Sequence, residues 1–342
     1  MLINMISKKQ IIILGIIILA LGLVFIFSKS EILIELDNSE GEIKIEENNI
    51  SPLSGLVCDN YQRRPLAVVL ANDPAARPLF GLSQADLVIE MPVITGSITR
   101  MIAFFVCYQP GEIGSLRSAR HDFIPLTQGM DAILVHWGGS HFALDKLNDG
   151  IMDNIDALKN PFNAFYRESS KSQPHNGFTS LDRLINSAKK LNYRLINIFE
   201  GYSFIEGKSQ ESNDKVLKID YSRPYYVSYQ YDPETNSYLR FRDNLREMDA
   251  ENNQQIKAKN IVVMKVFSKQ IEGPYYNDLD LEGSGECQIY QNGIVLDCTW
   301  QKSEIKPYSK LKFLNENDEE IPLVQGQTWI EIIELNQEVV WE

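Results

Sequence analysis

The apolar pattern changes once along this chain, and that change limits what it can fold into. From Gly55 to about residue 200, short apolar runs alternate with amphipathic stretches. Leu66-Ala-Val-Val-Leu70 follows Pro65 and reads as a buried strand. Asp86-Leu-Val-Ile-Glu90, residues 98–108 and Asp131-Ala-Ile-Leu-Val-His136 read as three more. Between and after them, residues 118–130, 141–147 and 180–191 are predicted helices. The last carries Leu181, Leu184, Ile185 and Ala188 on one stripe. This alternation predicts a mixed sheet covered by helices. After Tyr221 the helical signal is gone. Pro224 to Tyr231 and Ser237 to Phe241 flank a turn at Asp232-Pro-Glu-Thr-Asn236, and residues 260–266, 310–313 and 328–333 continue as strands. The expectation is an α+β chain. A layered sheet-and-helix domain occupies 55–205, and an antiparallel β-rich domain with Trp300 and Trp329 in its core occupies 206–342.

One hairpin is specified residue by residue. Cys287-Gln-Ile-Tyr-Gln-Asn-Gly-Ile-Val-Leu-Asp-Cys298 is symmetric about Asn292-Gly293, the pair that a two-residue type I′ turn demands. Counting outward sets Cys287 opposite Cys298, at a spacing of about 4.5–5.5 Å that suits a disulfide. Such a bridge belongs to an oxidising compartment. Cys58 and Cys107 are a possible second pair on which the spacing is silent.

The N-terminus agrees with export. Ile11 to Phe27 is apolar apart from glycines, long enough for a span of about 17–25 residues. Lys8 and Lys9 favour a cytoplasmic end at 1–10, a membrane anchor at 11–28 and a polar stalk at 29–54. Ser28-Lys-Ser-Glu31 is a poor cleavage site, and no cysteine lies near the end of the run, so an uncleaved helical anchor is expected. Residues 31–342 carry a formal charge of −16, which argues against a nucleic-acid partner.

Against that acidic background, all four histidines fall between His121 and His175, with Arg100, Arg117, Arg120 and Arg167 close by in sequence. In Gly114-Ser-Leu-Arg-Ser-Ala-Arg-His121, Ser115 is a predicted N-cap. Arg117, Arg120 and His121 would then share the first turn of a helix, where an anion fits. The alternative is that both arginines pair with acids such as Glu90 or Asp86. His136-Trp-Gly-Gly-Ser140 ends a buried strand; Ser140 either caps the helix at 141 or serves as a nucleophile beside His136 or His175. Pro174-His175-Asn176-Gly177 is a loop by composition. Glu90 and Arg100 read either as an ion pair or, for Glu90, as a general base. No histidine spacing matches a zinc pattern, so neither metal nor cofactor is expected.

At these residues the chain resembles the YerB-like family of bacterial membrane-anchored extracytoplasmic proteins. The resemblance rests on Arg64-Pro-Leu-Ala-Val68, Ala76-Arg-Pro78, Gly81-Leu-Ser-Gln-Ala-Asp86, Ile98-Thr-Arg100, Ile113 to Arg120, the His136 segment and Pro174-His-Asn176. Ala258-Lys-Asn260, Gly283-Ser-Gly285 and Gly326-Gln-Thr-Trp329 extend it into the second half. It implies an N-terminal α+β domain and a smaller β-rich C-terminal domain, and it supplies no activity. The family's lipidated cysteine is absent here, and Thr95-Gly96 stands where the family tends to carry Glu-Gly.

These readings converge on an envelope protein. It would bind an anionic ligand or partner through Arg100, Arg117, Arg120, His121, His136, Ser140, Arg167, His175 and Asn176. The alternatives are a hydrolase or transferase acting on an envelope polymer, with His136, His175 or Glu90 as acid and base, and a structural assembly factor.

Overall fold

A computed structural model describes residues 49–209 and 215–342. The predicted anchor at 11–28 and most of the stalk lie outside these residues. Among the described residues no helix is long and apolar enough to cross a membrane.

In the first half the strands are β1 (Leu66–Ala71), β2 (Leu87–Pro92), β3 (Thr99–Phe105), β4 (Ile113–Gly114), β5 (Ile133–His136), β6 (Asn154–Asp156), β7 (Phe165–Arg167) and β8 (Gly177–Thr179). The helices are Phe123–Gly129, His141–Asn148 and Leu181–Lys190. One ten-stranded sheet runs through both halves of the chain. Its order is Lys312–Leu314, Ile294–Lys302, Gly283–Gln291, Asn260–Val266, Thr328–Glu334, β2, β3, β1, β5, β6. The seam between the halves is parallel: Thr328–Glu334 pairs with β2 on one side and with Asn260–Val266 on the other. The second half is therefore not purely antiparallel. Strand chemistry alone does not report pairing direction, because Val- and Ile-rich runs suit both kinds of ladder.

β1 is apolar throughout because both faces of the sheet are covered. Leu66, Val68 and Leu70 enter one core, with Leu181, Leu184 and Ala188 of helix Leu181–Lys190. Ala67 and Val69 enter the other, with Phe123, Ile124 and Leu126 of helix Phe123–Gly129. A second sheet, built from Val216–Ile219, Val227–Asp232, Ser237–Arg242 and Val339–Trp341, adds Leu217, Val227, Tyr229 and Tyr231 to the first core. Trp329 is wholly buried and Trp300 nearly so. Ser51, Leu53 and Ser54, which composition assigns to the stalk, are buried too, and both serine hydroxyls donate to Asp86 Oδ1.

The Asn292-Gly293 turn has both φ angles positive, at 55° and 77°, and Cys287 stands opposite Cys298. These two form a disulfide with Cα atoms 4.9 Å apart. A second disulfide joins Cys58 to Cys107.

A buried ion network ties the halves together. Glu90 on β2 lies beside Glu331 in register. Arg242 donates to both oxygens of Glu90, at 2.9 and 2.5 Å, and Arg240 donates to Glu90, to Glu331 (2.5 Å) and to Glu247 (2.7 Å). Asn72 Nδ2 and Thr99 Oγ1 each donate to Glu90 Oε1 at 2.7 Å. Three carboxylates face two guanidiniums, and burial pushes Glu331 up to about 7.

Candidate functional site

The carboxyl ends of the parallel strands β1 and β5 lie side by side. Loops leaving such ends present backbone and short side chains to a common space. Asp73 follows β1, and Trp137 to Ser140 follow β5. Arg100, at the start of antiparallel β3, is in register with Ala71 and so arrives at the same edge.

The segment 115–121 completes this edge, but not as a helix. The predicted helix at 118–130 begins only at Phe123, and Ser115 is no N-cap. Its backbone hydrogen bonds go to neighbours instead. Arg117 N–H donates to Val69 O, Leu116 N–H to Gly177 O and Ala119 N–H to Gly138 O, while Trp137 N–H donates to Arg117 O. This tertiary pairing outcompetes the local helix and strings Arg117 and Arg120 along the ends of β1 and β5.

Arg117 Nη2 donates to Asp73 Oδ2 at 3.1 Å, and both side chains are 21 % exposed. Arg100 Nη1 donates to Ser118 O at 2.8 Å, while its Nε has no partner. Arg120, 9 % exposed, lies over the Tyr276 ring, and its Nε is likewise unpartnered. Burial, then the guanidiniums of Arg120 and Arg117, push the Arg100 pKa well below the ordinary arginine value. Burial also lowers Arg120. Three guanidiniums thus crowd one another, with Asp73 beside Arg117 and Asp122 acting on Arg120, and buried N–H groups are left unspent. Unsatisfied donors of this kind are costly, and an oxyanion would satisfy them.

His175 sits at the rim, its Nδ1 4.0 Å from Asp73 Oδ2 and without a hydrogen-bond partner. Burial, then Arg117, lower its pKa. Arg167 donates to Asn176 Oδ1 at 2.6 Å and packs over the Trp137 ring, so these two brace the His175 loop. A Cβ on Gly177 would meet Trp137 at 2.4 Å, which is why the loop closes on glycine. Tyr225, from the second half, interacts electrostatically with Arg100, Arg117 and Asp73.

Other predicted members stand apart. His136 is wholly buried, with Nδ1 2.8 Å from Gly138 O and Nε2 3.2 Å from Asn154 Oδ1; both ring nitrogens are spent on the fold. Ser140 is buried and accepts from Ala143 N–H, which makes it the cap of helix His141–Asn148. His121 turns its Nε2 to Asp278, at 3.0 Å, away from any role as an anion donor. Glu90 pairs with Arg240 and Arg242, not with Arg100 as the local sequence suggests, and Asp86 is taken by Ser51, Ser54 and the N–H groups of Val106 and Cys107.

Sequence reasoning overlooked Asp73. The signal was available, since Asn72-Asp73-Pro74 ends a buried strand just as His136-Trp-Gly does. Tyr225 and Tyr276 come from the other half of the chain, and no local pattern announces them. A cleft of about 1180 Å³ opens elsewhere, beside Arg64, Tyr193 and Lys310. Several of its charges are already paired, as Arg64–Asp153, Arg194–Asp131 and Lys310–Glu320.

Comparison with known proteins bears on the whole chain. Residues 53–194 match the family model "Protein of unknown function (DUF3048) N-terminal domain", and residues 217–330 match the corresponding C-terminal domain. "Putative lipoprotein YerB" of Bacillus subtilis (strain 168) is 33 % identical over 291 residues, which is 83 % of this chain and 86 % of that protein. The crystal structure of YerB from Bacillus subtilis superposes with a TM-score of 0.76 at 31 % identity, covering 85 % of this chain and 99 % of that one. The chain belongs to this YerB-like family and has its two-domain mixed α/β fold.

Proposed function

For this member of the YerB-like family, we propose a cell-envelope binding protein that holds an anionic ligand at Arg100, Arg117 and Arg120. One observation carries the reading: the Nε atoms of Arg100 and Arg120 are buried without partners, in a cluster where Asp73 stands beside Arg117 and Asp122 acts on Arg120. His175 sits at the mouth as a neutral imidazole able to take a proton when the anion arrives. A buried ion pair built for stability would match these charges, as the network around Glu90 does.

The protein is anchored to the membrane and faces the extracytoplasmic side. The relative's name, a lipoprotein, supports attachment. All four cysteines lie in disulfides, so the apolar run Ile11 to Phe27 is the segment proposed for that attachment. The disulfides themselves suit an oxidising compartment. A hydrolytic role gains less support, since His136 and Glu90 are both spent on the fold.

The test is the melting temperature of the full-length chain against envelope-derived phosphates, sulfates and carboxylates. A ligand of the folded state at 100 times its dissociation constant adds about 2.7 kcal/mol of stability. A shift with one class, lost in Arg117→Ala, supports the reading. Equal behaviour of wild type and Arg117→Ala with every anion rejects it.

A further inference from the structure

The hairpin Ser268–Glu272 and Tyr276–Leu279 lies against the segment that carries His121 and Asp122. It brings Asp278 to residues more than 150 positions away in sequence. His121 Nε2 is 3.0 Å from Asp278 Oδ1 and 3.5 Å from Asp122 Oδ1. One ligand atom from each of the three residues falls within 4.8 Å of the others. Asp122 is 4 % exposed, and its Oδ2 has no hydrogen-bond partner. A buried carboxylate oxygen left bare beside a second carboxylate and an imidazole is an arrangement that a cation satisfies.

We propose that His121, Asp122 and Asp278 form a site for a divalent transition ion of the zinc class. One imidazole nitrogen and two carboxylates suit zinc, with solvent completing a four-coordinate shell. The imidazole disfavours calcium and magnesium, which take oxygen shells. Lys269 Nζ, 3.1 Å from Asp278 Oδ2, is half-exposed and free to swing away when the ion enters. The ion would pin the hairpin of the second half onto the first. This proposal does not rest on the anion-binding reading.

The test starts from full-length protein stripped with a chelator and dialysed. Calorimetry with Zn²⁺, Mn²⁺, Ca²⁺ and Mg²⁺ then measures affinity, and elemental analysis counts bound zinc. The expectation is one zinc per chain and a raised melting temperature. Loss of a partner that merely orients a ligand costs about 10–100-fold in affinity, so Asp278→Asn and His121→Gln are each expected to lose at least about tenfold. His141→Gln, which removes the nearby His141–Glu272 pair, is expected to bind zinc as wild type does. Asp278 is partly exposed, so Asp278→Asn keeps the test open should His121→Gln not fold. Unchanged zinc binding in Asp278→Asn overturns the site, and stabilisation by calcium or magnesium equal to that by zinc overturns the metal class.

Discussion

Asp73 accepts a hydrogen bond from Arg117 at 3.1 Å, and, on top of burial, the Arg117 guanidinium in turn lowers the pKa of both Arg100 and Arg120. Asp73 therefore competes with any incoming anion for Arg117. Partly exposed pairs of this kind contribute about 0.2–1 kcal/mol. Asp73→Asn is expected to tighten sulfate binding by about 1.4- to 5-fold, measured by calorimetric titration at low ionic strength. Weaker binding in the variant would mean that Asp73 positions Arg117 rather than competing for it.

His175 gives the site a pH dependence. Burial lowers its pKa, Arg117 and Lys171 lower it further, and Asp73 opposes them. In the free protein the folded state takes its proton at lower pH than the unfolded chain, which titrates near 6.5. Its contribution to stability is complete above that value and declines as pH falls toward the lowered folded value. A bound sulfate reverses the balance by favouring the imidazolium. Sulfate affinity is expected to rise as pH falls toward the lowered folded value of His175, and His175→Gln is expected to flatten the profile.

The ion network offers a contrast in tolerance. Removing one partner of a buried charge pair costs about 3–5 kcal/mol, so Arg240→Ala is expected to lose that much in urea unfolding. Glu331 is pushed up by burial, and Tyr221 donates to its Oε2 at 3.0 Å. A neutral amide replaces a carboxyl of this kind at little cost, so Glu331→Gln is expected to fold with near wild-type stability at pH 7.

The two disulfides should differ in weight. Cys58–Cys107 closes a separation of 49 residues and Cys287–Cys298 one of 11. Loop-closure entropy assigns about 4 kcal/mol to the longer loop and about 3 kcal/mol to the shorter. Paired Cys→Ala variants compared by urea unfolding are expected to follow that order.

Much of the fold is legible in the sequence because local rules are strong there. The Asn292-Gly293 turn sets the hairpin register, and Val- and Ile-rich runs mark the strands of both halves. Direction of pairing was not legible: nothing local says that Thr328–Glu334 runs parallel to β2. The site was legible in composition and less so in geometry. Arg100, Arg117 and Arg120 do gather, yet on an extended segment held by Val69, Gly138 and Gly177, where the spacing had suggested a helix turn. His136 and Ser140 read as chemical groups because strand ends often host sites. Their partners Asn154 and Ala143 became visible only in three dimensions. The grouping of His121 with Asp278 is a tertiary event of the same kind.

The buried Nε–H groups of Arg100 and Arg120 have no partner, and in this account they await an anion. The most direct measurement is isothermal titration of sulfate into the full-length chain, wild type beside Arg120→Gln, at low ionic strength. The account predicts saturable binding of one sulfate per chain in the wild type and at least about tenfold weaker binding in the variant, about 1.4 kcal/mol of charge-assisted hydrogen bonding. Saturable binding of equal strength in both proteins, or none in the wild type, would contradict it.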